Sequence, residues 1–175
     1  QQGCTVSFLV CTNGDKGTED LQMTPVKLAQ IREREQRNAA AALGVQDVVF
    51  LRYSDGELED TSKFRGELVR EIRRFSPQIV LTHAPVNLSR HIHRDHRVCG
   101  SVTLDAVFPY SRDRLHYPSL IKAGLMPHKV GTVLLWGSAA PDQFVDITAT
   151  IEIKIQAMLE HSSQFIARDN GADSN

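Results

Sequence analysis

Short apolar runs rich in β-forming residues alternate along this chain with segments of helical period, and that alternation constrains its fold more than any other feature. Val6 to Cys11, Val48 to Leu51 and Ile79 to Thr82 are strand-like runs, each closed by turn residues or proline-bounded segments. Thr24-Pro25 opens a helix that runs to Leu43-Gly44, and a second helix spans Ser62 to Phe75, with Leu68, Ile72 and Phe75 on one face and Pro77 after it. A third helix is expected from Arg94 to Phe108. Irregular chain follows from Tyr110 to Pro127, then strands at Val130 to Trp136 and Phe144 to Ile147, then a closing helix from Thr148 to His161. Strands alternating with helices predict an α/β fold with a mostly parallel sheet. Ligands of such sheets bind beyond the carboxyl ends of the strands. Asn13-Gly14-Asp15, Asp55, His83 and the segment after it all follow predicted strand ends.

The 175 residues are enough for one domain with a real core, and a net charge of -1 gives no reason to expect a nucleic-acid or membrane-surface partner. No run is long and apolar enough to read as a membrane span. Three cysteines, Cys4, Cys11 and Cys99, with no CxxC pair, fit a reducing compartment such as the cytoplasm. The chain opens almost directly on a strand-like run, so the first element of the fold is expected to be missing. A polar tail is expected over residues 168–175.

The chemistry concentrates in His91-Ile92-His93-Arg94-Asp95-His96, where three histidines and a carboxylate occupy six positions. Imidazole binds divalent metal, moves protons near neutral pH and stabilises an oxyanion when protonated. His93 and His96 are three apart and share a face if the segment is helical. A carboxylate at Asp95 is placed to hold a ring N–H. The plain alternative is a solvated polar loop at a helix start. Other residues have equally plain readings: Arg32 and Glu35 as an i,i+3 ion pair, Asp55-Gly56 as a turn, His83 as a lining residue at a strand end, His128 as a surface-loop residue, and Trp136 as core or interface.

Several strings together resemble one family. They are Cys11-Thr12-Asn13-Gly14-Asp15-Lys16-Gly17, Arg32-Glu33-Arg34-Glu35, Asp55-Gly56, Leu81-Thr82-His83, His93-Arg94-Asp95-His96-Arg97, Pro109-Tyr110-Ser111-Arg112-Asp113 and Phe144-Val145-Asp146-Ile147-Thr148. In order and spacing they are similar to the LmbE-like (PIG-L) family of zinc-dependent N-acetylglucosamine deacetylases. The resemblance covers nearly the whole chain, and residues 1–167 are read as a single domain of this kind. It implies a Rossmann-like three-layer sandwich and one catalytic Zn2+, with another divalent metal as the alternative. It makes His96 the metal ligand from this segment and His93 the imidazole that stabilises the oxyanion or protonates the leaving amine. Asp95 then orients His93, and Arg32 and Asp55 bind the sugar. The implied substrate is a small N-acetylated amino sugar. A homo-oligomer is compatible with the family, some of whose members are hexamers.

One departure matters. The family's first strand ends in an Ala-His-Pro-Asp-Asp motif, which brings two zinc ligands and the general base, and this sequence has no such motif. A catalytic zinc normally has about three protein ligands plus water. The expectation is therefore that this chain lacks the first strand and is inactive alone. The competing reading is a non-catalytic relative that binds a sugar or a protein partner. A nucleotide-binding Rossmann domain is disfavoured because Asn13-Gly14-Asp15-Lys16-Gly17 is not a GxGxxG fingerprint.

Overall fold

The computed structural model describes residues 3–87 and 91–165; the polar tail expected at 168–175 lies outside them. In chain order the elements are β1 (Ser7–Thr12), α1 (Pro25–Ala42), β2 (Asp47–Tyr53), α2 (Ser62–Phe75), β3 (Ile79–His83), α3 (Arg94–Asp105), α4 (Pro118–Lys122), β4 (Thr132–Trp136) and α5 (Ile151–Leu159). The fold is mixed α/β with parallel strand pairing. Two compact units are formed, one by Gln1–Asp55 with Gln143–Asn175 and one by Gly56–Asp142.

In the first unit, β1 pairs in parallel with β2, Ser7 opposite Asp47 and Val10 opposite Phe50, with an irregularity before Thr12. Helix α1 begins where the sequence signals it: Thr24 accepts a hydrogen bond from the Lys27 N–H, and Pro25 occupies the first turn, where a missing N–H costs nothing. It ends in a Schellman arrangement. The Val45 N–H returns to the Ala40 carbonyl and the Gly44 N–H to Ala41, which requires the positive φ of Gly44 (73°). Leu28, Ala39, Ala40, Val45 and, from α5, Ala157 are its buried apolar residues.

In the second unit, β3 pairs in parallel with β4, from Ile79 opposite Thr132 to His83 opposite Trp136. Helix α2 forms over the predicted residues. Thr61 caps it by accepting from the Phe64 N–H, and Ser76 ends it in the left-handed region just before Pro77. Its buried face carries Phe64, Leu68, Val69 and Ile72. Arg73 is buried as well, and donates to the carbonyls of Tyr110, Ser111, Asp113 and His116. The loop that sequence reading leaves irregular is thus tied to α2 by the Arg73 guanidinium, and the Tyr117 hydroxyl adds a bond to the Ser62 carbonyl.

Four expectations need correction. Phe144 to Ile147 is not a strand. Phe144 and Val145 are 84% and 79% exposed, and the Asp146 carboxylate turns back to accept from the Thr148 N–H and hydroxyl, a local turn in place of a ladder. The closing helix starts at Ile151, after a 3₁₀ turn at Thr148–Thr150, and stops at Leu159. Helix α3 is α-helical only to Asp105, with a π-type turn over Ala106–Tyr110; Pro109 has no N–H with which to continue the ladder. The stretch from Tyr110 to Pro127 also contains a short helix, α4.

Candidate active site

The histidine-rich segment leads into α3. His93 is the N-cap: its Nδ1 accepts from the Asp95 N–H at 3.2 Å, satisfying one of the donors a helix start leaves open. With Nδ1 an acceptor, the proton of neutral His93 resides on Nε2. The Asp95 carboxylate is buried and accepts from the N–H groups of Gly56 (2.7 Å) and Leu58 (3.2 Å). One of its oxygens also lies 4.0 Å from His93 Nδ1, an ion-pair distance if that ring is protonated. Arg94 donates to the carbonyls of Leu58 and Gly56, so the 56–58 turn is bound to the first turn of α3 from both sides.

His96, one turn on, tilts against His93 with ring centroids 5.3 Å apart. It stacks on His83 at 4.0 Å, with the ring planes 11° apart. His83 is the last residue of β3, and its Nδ1 accepts from the indole N–H of Trp136 at 2.8 Å. Burial, reinforced by the neighbouring His96, lowers the His83 pKa to about 4. A glycine makes this approach possible. A Cβ on Gly100 of α3 would stand 2.3 Å from the His83 carbonyl oxygen, a distance no side chain tolerates. The second unit therefore gathers His93, Asp95 and His96, as their spacing predicts, and adds His83 and Trp136. The sequence carries no local sign of the Trp136 contact or of the role of Gly100.

Arg32 and Asp55 belong to the first unit. Arg32 is not ion-paired with Glu35. Its Nη1 donates to the carbonyls of Gly14 (2.6 Å) and Lys16 (2.9 Å), and its Nη2 to Gly17 (2.9 Å). Glu35 is buried and faces elsewhere, accepting from the Ser162 hydroxyl and from the N–H and hydroxyl of Ser163. The loop that Arg32 holds in turn holds Asp55. Asp15 accepts from the Asp55 N–H at 2.8 Å and from the Ser54 hydroxyl, while Lys16 Nζ donates to the Ser54 hydroxyl and the Asp55 carbonyl. Both candidate sugar-binding residues thus sit in one hydrogen-bonded network that crosslinks the turns after β1 and β2. A small cleft of about 140 Å³ beside it is lined by Thr12, Asn13, Arg32, Glu33, Gln36 and His161, among others. His128, which sequence reading leaves on the surface, has its Nε2 2.7 Å from the Pro77 carbonyl and so ties the chain before β4 to the end of α2.

Comparison with known proteins gives concordant results. A family model described as GlcNAc-PI de-N-acetylase (PIG-L) matches residues 1–107. The chain is 36% identical over 163 residues to the diacetylchitobiose deacetylase of Thermococcus kodakarensis, covering 93% of this chain and 60% of that protein. It is 29% identical over 139 residues to the mycothiol S-conjugate amidase of Streptomyces coelicolor, covering 67% and 46%. Among solved structures, the N,N'-diacetylchitobiose deacetylase of Pyrococcus horikoshii, in complex with an inhibitor, superposes with a TM-score of 0.88 at 31% identity, covering 94% of this chain and 61% of that one. The chain spans less than two thirds of the length of each of these relatives.

Proposed function

This chain belongs to the PIG-L family, and we propose that it serves a metal-dependent hydrolase that removes the N-acetyl group from an N-acetylglucosamine-type substrate. The observation that supports this reading most is the α3 N-terminus, where His93, buried Asp95 and His96 meet His83 within one turn of helix. The similarity to two diacetylchitobiose deacetylases favours a sugar amide over other amides.

The donor set has the right chemistry for zinc or a similar divalent ion, which takes imidazole nitrogen and carboxylate oxygen. We assign His96 as the metal ligand from this segment. Asp95 is less suited to ligation, because two backbone N–H groups already engage its carboxylate. The remaining ligands and the general base are proposed to come from a His-Pro-Asp-Asp segment that these 175 residues do not contain. When bound, such a metal supplies a water of pKa about 7 as the nucleophile. His93 is the proposed acid: its Nε2 carries the transferable proton, and its protonated ring is a donor for the oxyanion of the tetrahedral intermediate. Asp95 positions the neutral His93 ring through its backbone N–H, which donates to Nδ1; in the imidazolium Nδ1 is itself a donor, and the Asp95 carboxylate 4.0 Å away then steadies the charge. Arg32 and Asp55 are the proposed sugar contacts. Arg32 acts largely through the loop it holds, since both protons of Nη1 are already engaged.

Among the described residues no helix is long and apolar enough to cross a membrane. A reducing, cytoplasmic setting is proposed from the sparse, odd set of three cysteines without a CxxC pair. Assembly into a homo-oligomer is proposed on family grounds alone.

The test is acetate release by the complete gene product from N-acetylglucosamine, diacetylchitobiose and simple N-acetyl amino acids. His96→Ala should lose bound metal. His93→Ala should keep it and lower kcat by about 100-fold. Activity confined to the amino acids would refute the sugar reading. Sugar binding without any hydrolysis would favour the non-catalytic relative, in keeping with the absence of a His-Pro-Asp-Asp run from these 175 residues.

A further inference from the structure

His83 and Trp136 end their strands as register partners in the β3–β4 ladder. An indole N–H can only donate, so the 2.8 Å contact from Trp136 Nε1 assigns a lone pair to His83 Nδ1. The ring proton of His83 therefore sits on Nε2, which has no hydrogen-bond partner among the described residues. A ring in this state is a poor metal ligand, since one nitrogen is protonated and the other already accepts from the indole. The plane of the ring is fixed twice, by the stack on His96 and by the edge contact with Trp136 at 4.8 Å. What remains is a single N–H, oriented by these contacts at the carboxyl end of a parallel strand, where ligands of α/β folds bind.

We propose that His83 is a substrate-contacting residue: a neutral imidazole whose Nε2–H, locked in place by Trp136, donates a hydrogen bond to an oxygen of the N-acetylated sugar bound beside His96. The proposal rests on the sugar-deacetylase reading and deepens it. The two stacked rings divide their chemistry, His96 offering a lone pair to the metal and His83 a proton to a ligand oxygen. Trp136 is a positioning residue, acting through His83 alone.

The experiment uses the zinc-loaded complete gene product with ¹⁵N-labelled histidine. Long-range ¹H–¹⁵N spectra should show His83 with Nδ1 bare and Nε2 protonated, and N-acetylglucosamine should shift the Nε2 resonance. His83→Phe keeps a ring to stack but has no donor, so sugar affinity should fall about tenfold with zinc content unchanged. His83→Gln, which restores an N–H, should recover part of it. Trp136→Phe should release the tautomer and weaken sugar binding less than His83→Phe. A wild-type Nδ1–H tautomer, undiminished affinity in His83→Phe, or loss of zinc from that variant would each overturn the proposal. The tautomer measurement needs no variant and decides the point even if the substitutions do not fold. Failure of the wild type to bind any N-acetylated sugar would overturn the deacetylase reading itself, and this contact with it; wild-type binding that His83→Phe leaves intact would overturn the contact alone.

Discussion

The imidazole of His83 lies flat on that of His96, 4.0 Å between centroids and 11° from parallel. The pair is tolerable only while the rings do not both carry charge. Burial first, and the neighbouring His96 second, bring the His83 pKa down from 6.5 to about 4. In metal-free, chelator-treated protein, the His83 C2–H resonance should accordingly titrate near pH 4. The sign for stability follows from proton uptake. As pH falls from 6.5 toward 4 the unfolded chain binds a proton at this position and the folded one does not, so this contribution to stability is present above 6.5 and is lost through that window. A midpoint near 6.5 would show that the stack does not hold the ring neutral.

Gly100 is the hinge of this packing. Its added Cβ would meet the backbone of His83 at 2.3 Å, and a backbone oxygen cannot swing away as a side chain can. Gly100→Ala should therefore cost about 1–3 kcal/mol in urea unfolding, as overpacked buried sites do, despite the better helix propensity of alanine. A change within about 0.5 kcal/mol, the range of surface substitutions, would mean that α3 shifts freely from the end of β3.

What the sequence made legible was local. Helix α2 is bracketed by the Thr61 cap and Pro77, both written within a few residues of its ends, and it forms where expected. The same holds for the α3 start, because the spacing of His93, Asp95 and His96 is itself the geometry of one helical turn. What stayed hidden depends on pairing over long separations. His83 and Trp136 meet only because β3 and β4 adopt one register out of several. Phe144 to Ile147 has the composition of a strand, yet among the described residues no ladder partner is present for it and the Asp146 turn prevails. Arg32 and Glu35 look like an ion pair because they are three apart, but each finds several partners elsewhere in the chain, and those bonds outweigh a surface pair worth about 0.3 kcal/mol.

Glu35 gives a direct check on that last point. Its buried carboxylate accepts three hydrogen bonds from Ser162 and Ser163, fastening the turn after α5 to α1. Glu35→Ala should destabilise the protein by about 2–3 kcal/mol, and amide exchange at Ser163 should accelerate. Glu35→Gln, which keeps the shape and loses the charge, should cost about half as much. Unchanged exchange at Ser163 in the alanine variant would mean that other contacts hold the turn.

Arg32 separates loop support from ligand contact most sharply. Its guanidinium ties down the carbonyls of Gly14, Lys16 and Gly17, and Gly14 itself adopts φ 61° with the Arg32 side chain packed where a Cβ would stand. The loop so held presents Asp15 to the Asp55 N–H and Lys16 to the Asp55 carbonyl. Arg32→Ala should cost about 1–3 kcal/mol of stability, the range for charge-assisted hydrogen bonds that are partly exposed. Arg32→Lys should recover less than half, because an ammonium cannot span three carbonyls as a planar fork does. If the network serves sugar binding, Asp15→Asn should weaken binding of N-acetylglucosamine several-fold through Asp55 while leaving zinc content intact, and Asp55→Asn should weaken it at least as much. The two effects should also be non-additive, since Asp15 reaches the ligand through residue 55, which it holds by its N–H and through the adjacent Ser54 hydroxyl. Additive losses in the double variant would mean that Asp15 contacts the ligand by a route of its own, and loss of stability alone, with sugar affinity preserved in both single variants, would reduce the network to a structural brace.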